Sequence, residues 1–297
     1  MARRLSIWTL ATLAVTALGI RSASADGLPT FTGNVANDFP IAPNNGVVEI
    51  VDHPMANGQS NPQHVAQASW ITQQGWTTGF EMKDMRLMYD AKTDTLAVGL
   101  NYFGIAGNGS GNGNPNVTDP RVTAAGGVDP AHLGGDKSIS VVIDPTNSGN
   151  PAIIAGVPAD KTHAGPGIDG FTAAQYQSSG GGWAYSYGKA LPQFTGNLAF
   201  DPSAAHPGFE FTIPNFSKIP GMDLSKGFSI GEFSGSQYLI VAGKDIMPLT
   251  HVIFPTSAAE IITPEPATLL SWSLGLGAAG LWSRRRRRSR AAAVSAA

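Results

Sequence analysis

The chain has 297 residues and no cysteine, which excludes disulfides, thiol catalysis and cysteine-ligated zinc. Its formal net charge of −2 conceals an uneven layout: both ends are basic, and residues 26–263 carry ten lysines and arginines against twenty acids, a net of about −10. An acidic surface excludes nucleic acid as a partner, since that needs phosphates neutralised by cations; it favours solubility outside the cell and suits divalent cations.

Residues 1–25 read as a secretory signal peptide. Arg3 and Arg4 form the positive start, Leu5 to Ile20 is mostly apolar, and Ala23-Ser24-Ala25 is an A-x-A site, so cleavage is expected before Asp26. The secretory translocon and signal peptidase are then the first partners.

The region 26–263 is punctuated throughout by glycine and proline, with short apolar runs between them. Thr95 to Tyr102 alternates, with Leu96, Val98, Leu100 and Tyr102 on one face. It follows a strand near Met85 to Tyr89 and a turn at Asp90 to Asp94, which makes a hairpin. Ile139, Val141 and Ile143 share a face, as do Phe209, Phe211 and Ile213, with Glu210 and Thr212 expected to face water. Further strands are expected at Val47 to Val51, Ser69 to Thr72, Pro151 to Ala155, Phe171 to Tyr176, Gly182 to Tyr187, Phe228 to Phe233 and Thr250 to Phe254. No helical period stands out between the two ends. About ten short strands predict an all-β domain: a two-sheet antiparallel β-sandwich, immunoglobulin-like or jelly-roll-like.

The same region carries few motifs of catalytic chemistry. His53, His64, His132, His163, His206 and His251 are widely spaced, with no H-x-H or H-E-x-x-H, and read as surface or turn residues. No nucleophile elbow or Walker loop occurs. Carboxylate pairs of the glycosidase kind meet only in the fold. In the Gly-rich stretch 104–115 and just beyond it, Asn108, Ser110, Asn112, Gly113 and Asp119 fall at calcium-loop positions, though only Asp119 is anionic. They make a weak calcium candidate beside the plainer reading of a Gly/Asn loop, and Pro120 after Asp119 rules out a normal exiting helix. Trp183, Tyr185 and Tyr187 alternate on one strand face and form a possible sugar platform, although core aromatics give the same pattern. Trp70 and Trp76 also lie close in sequence.

At the far end, 18 uncharged residues separate Glu265 from Arg284. As a helix they reach about 27 Å, against about 30 Å of bilayer hydrocarbon. Arg284, Arg285, Arg286, Arg287, Arg288 and Arg290 then act as a stop-transfer cluster, which predicts a single transmembrane helix with its C-terminus in the cytoplasm. Residues 291–297 read as a disordered tail. Gly275, Gly277 and Gly280 match a dinucleotide fingerprint, but without the strand, helix and acidic residue that fingerprint requires.

Pro264-Glu265-Pro266, an apolar helix and a terminal arginine cluster, paired with a leader, resemble the PEP-CTERM sorting signal of Gram-negative bacteria. The resemblance covers 264–290. It implies an exported protein held briefly in the inner membrane, where an exosortase cuts near Pro264-Glu265-Pro266, and an association with exopolysaccharide and biofilm. A fainter resemblance links the stretch "MRLMYDAKTDTLAVGLNYFGIAG", the Gly-rich loop and "GGDKSISVVID" to carbohydrate-binding or DOMON-like β-sandwich modules, with no ligand residue matched. The expectation is a non-enzymatic surface or matrix protein without an obligatory cofactor. The alternative is an exported hydrolase acting on polysaccharide.

Overall fold

Period-two alternation is what turns these short runs into sheets with one apolar face. The computed structural model describes residues 27–43, 45–55, 58–61, 66–159, 167–168, 170–178, 184–238 and 240–254. Both terminal signals, including Ala23, Ala25, Asp26, Pro264, Glu265, Pro266 and the arginines 284–290, lie outside the described residues. In chain order the strands are β1 Val48–Val51, β2 Met82–Asp90, β3 Thr95–Tyr102, β4 His132–Leu133, β5 Lys137–Asp144, β6 Ile153–Val157 and β7 Gly167–Ile168. They continue with β8 Thr172–Gln177, β9 Ser186–Ala190, β10 Leu198–Ala199, β11 Phe209–Pro214, β12 Phe228–Ser236 and β13 Lys244–Val252.

One sheet has the order β1-β2-β3-β11-β10 and the other β13-β12-β5-β6-β8-β9, all antiparallel; β4 and β7 form a separate parallel ladder. Leu96, Val98, Leu100, Phe211 and Ile213 from the first sheet join Ile139, Val141, Ile143 and Ile230 from the second in a single core. The three alternating runs thus bury the faces expected of them. The turn after β2 is held by Asp90, whose carboxylate accepts from Lys92 N and Thr93 Oγ1.

Three short helices were not foreseen. Ser69–Gln73 is helix α2, where a strand is expected over Ser69 to Thr72. It buries Ile71 against Val122 and Val241, a contact distant in sequence that overrides local propensity. Pro120–Ala124 is α3, and here the proline starts the helix. Its ring fits the first helical position, where no N–H partner is needed, and Asp119 accepts from Arg121 N as the cap.

The outer face of the first sheet is not wet. The segment 28–39, with helix α1 Val35–Asp38, lies across it, and Val35 and Phe39 pack on Met88 and Ala97. A Cβ at Gly99 would sit 2.8 Å from Val35 Cγ1, so only glycine permits this approach. Arg86 donates to the Phe39 carbonyl at 2.9 Å, and Glu210 accepts from Gly33 N at 2.6 Å. Glu210 is consequently buried, and Thr212 is buried under the loop at 196–197, where its Oγ1 accepts from Asn197 N at 2.8 Å.

Burial, chiefly, pushes the Glu210 carboxyl up to about 8; the Gly33 N–H opposes this and Asp38 adds to it. Between the ordinary carboxyl range and pH 8, the folded chain holds a proton that the unfolded chain releases, so stability falls as pH rises through that window. Glu210→Gln keeps the acceptor for Gly33 and removes the titration. It is expected to stabilise the protein by about 2 kcal/mol at pH 8 and leave it unchanged near pH 4, read from thermal melts across pH. An equal effect at both pH values would contradict this.

Candidate functional site

At one end of the space between the sheets the apolar lining stops. Phe228 and Ile230 point into the core from β12, and the next residue on that face is Glu232. Glu81, Tyr102, Asp245 and Asp52 gather at the same end, from the start of β2, the end of β3, the start of β13 and the turn after β1. Asp52, Glu81, Glu232 and Asp245 are each no more than 3% exposed.

Several hydrogen bonds fix this end. Met82 N donates to Asp245 Oδ2 at 2.9 Å, and Ser234 Oγ donates to the Phe80 carbonyl at 2.7 Å, so each sheet holds the other. Ile246 N donates to Asp245 Oδ1 at 2.8 Å, Tyr102 Oη to Glu232 Oε1 at 3.0 Å, and Asp52 N to the Lys83 carbonyl at 3.1 Å. Asp52 Oδ2 lies 2.6 Å from His53 Nδ1, which is 3.9 Å from Asp245 Oδ1. His53 has φ of 44°, a left-handed turn. That turn breaks strand alternation and lets two consecutive side chains serve one point.

Burial first, then the Asp245 and Glu81 charges, drives the Asp52 carboxyl up to about 8. Burial and Asp245 raise Glu232 well above the usual range, and burial with Glu232 raises Tyr102, which keeps its proton to donate. The groups acting most strongly on Asp52 and Glu232 include no lysine or arginine. Such a cluster can share protons between carboxyls or ligate a cation.

The Gly-rich stretch is ordered and closed on itself. Its organiser is Asp129, fully buried, which accepts from Ser110 N and Asp119 N at 2.6 Å each, and from Ser110 Oγ and Asn112 Nδ2. Asn108 Oδ1 accepts from Asn112 N, Asn112 Oδ1 accepts from Asn114 N, and the Asp119 carboxylate is held by Arg121 at 2.7 Å. The structure thus brings Asn108, Ser110 and Asn112 together around Asp129, while Asp119 faces the cation Arg121. A Cβ at Gly111, φ +68°, would collide with the Thr77 carbonyl, so this glycine serves packing.

The sequence-derived aromatics are partly visible. Trp183 lies outside the described residues. Tyr185 and Tyr187 are half-buried on the outer face of the second sheet, beside Val142, Ile154 and Tyr176. The Tyr185 ring meets Tyr176 edge-on, and the hydroxyls of Tyr187 and Ser140 are hydrogen-bonded at 2.7 Å. Trp70 and Trp76 instead flank the Arg121 guanidinium, 3.8 and 5.9 Å from the two ring centres. Among the histidines, His132 is buried in β4 rather than at the surface, and His53 belongs to the acidic cluster. His64 and His163 lie outside the described residues.

No family model, curated protein or solved structure matches the chain.

Proposed function

We propose that this protein is an exported, non-enzymatic component of the cell surface or extracellular matrix, associated with exopolysaccharide and biofilm. The observation that carries the reading is the order of features at the two ends: an A-x-A leader, then Pro264-Glu265-Pro266, an uncharged run and an arginine cluster. In this account the chain crosses by the translocon and loses residues 1–25 to signal peptidase. It waits in the inner membrane with its C-terminus in the cytoplasm, and an exosortase releases it. The two sheets are then an immunoglobulin-like or jelly-roll-like sandwich, acting as a binding or structural module.

A polysaccharide hydrolase is the other reading, and the buried acids speak to it. A glycosidase needs two carboxyl groups open to a sugar and a water. Here Glu81 and Glu232 are fully buried, and Asp52 and Asp245 nearly so, which favours a structural or binding role. Exported protein recovered from culture should pull down exopolysaccharide and leave its reducing ends unchanged. Release of sugar would overturn the non-enzymatic reading; absence of any retention would overturn exopolysaccharide as the ligand.

A further inference from the structure

We infer that Asp52, His53 and Asp245, backed by Glu232, form a binding site for a divalent cation that clasps the two sheets together. A donor atom from each of the first three lies within 4.8 Å of the others. That suits a single ion, because bonds of about 2.0–2.6 Å place opposite ligands about 4–5 Å apart.

A second observation points to a ligand independently of the acids' proximity. Glu232 is fully buried on the inward face; its Oε1 takes the Tyr102 hydroxyl, and its Oε2 has no hydrogen-bond partner. A buried carboxylate oxygen left in that state is costly unless something positive reaches it. Asp52 and Asp245 both act on Glu232, and Asp52 Oδ2 pairs with His53 Nδ1 at 2.6 Å beside it.

The donor set narrows the ion. Two carboxylates with one imidazole suit Mn²⁺ and Zn²⁺ ahead of Ca²⁺, whose usual ligands are all oxygens. The His53 side chain is 28% exposed and gives the route of entry. The place in the fold defines the role. β1 is an edge strand of one sheet and β13 of the other, so an ion between Asp52 and Asp245 ties two free edges. The assignment stands independently of the export reading.

Full-length protein, purified in detergent and stripped with a chelator, should bind one equivalent of Mn²⁺ or Zn²⁺ by calorimetry, and its melting temperature should rise with the metal. Asp52→Asn and Asp245→Asn should each weaken that binding at least about 10–100-fold. Should Asp245→Asn fail to fold, Asp52→Asn carries the test alone. No one-site binding of either metal, an unchanged response in Asp52→Asn, or a response to Ca²⁺ alone would overturn the assignment.

Discussion

Lys137→Met is expected to destabilise the protein by about 3–5 kcal/mol, on the order of 10 °C in melting temperature. Lys137 opens β5 and is wholly buried. Its ammonium has three donors, and Nζ donates to the carbonyls of Gly107 at 2.6 Å, Pro130 at 2.8 Å and Asp129 at 3.4 Å. Burial lowers its pKa to about 8, while Asp136 and Asp129 pull it back up. One side chain therefore joins the Gly-rich loop, the segment at 129–130 and the second sheet. Methionine matches the length but offers no donor. It would strand three carbonyls and remove the positive charge beside Asp129, on which the loop's own hydrogen bonds depend. Thermal unfolding followed by circular dichroism measures the change. A loss below about 1 kcal/mol would mean that water replaces the ammonium and that Lys137 is not the anchor of this loop.

Most of the sheet structure was legible because alternation is a local signal. Leu96, Val98 and Leu100 needed only their own spacing to declare an inward face. Contacts distant in sequence were not legible. Nothing near Glu210 announces that residues 28–39 will lie over it, so a wet face was expected where a covered one exists. At Ser69–Gln73 a strand was expected, whereas burial of Ile71 decides the conformation. At Pro120 the rule applied was that for a helix interior, whereas the position is a helix start.

The acidic cluster was missed for a related reason. Asp52, Glu81, Glu232 and Asp245 are scattered along the chain, and no spacing rule links them. One signal was available: Glu232 keeps step with Phe228 and Ile230, which places a carboxylate at an inward position. A charge in register with core residues is rare unless it is paired or ligated. The calcium-loop count at Asn108 to Asp119 had the opposite fault, since its spacing was right while Asp129, outside the count, organises the loop.

The central claim concerns delivery, and its expected effects are all-or-none. Residues 267–283 are short for a membrane helix and contain Gly275, Gly277 and Gly280, so they have little apolar surplus. An arginine at the centre of such a helix costs about 2.5–3.5 kcal/mol on insertion scales. Leu276→Arg should therefore yield precursor that is lost from the membrane or degraded. Removing Arg284 to Arg290 should leave the tail misoriented, since positive charge retains that end in the cytoplasm. Replacing Pro264, Glu265 and Pro266 with alanine should act differently, because in the proposed account it spares the uncharged run and removes only the motif an exosortase would read. The direct measurement is fractionation of cells expressing this triple-alanine chain with a tag placed after Asp26. The account expects full-size protein retained in the inner membrane, while the parent chain appears outside in a shorter form. Processed triple-alanine protein outside the cell at the parent rate would contradict it.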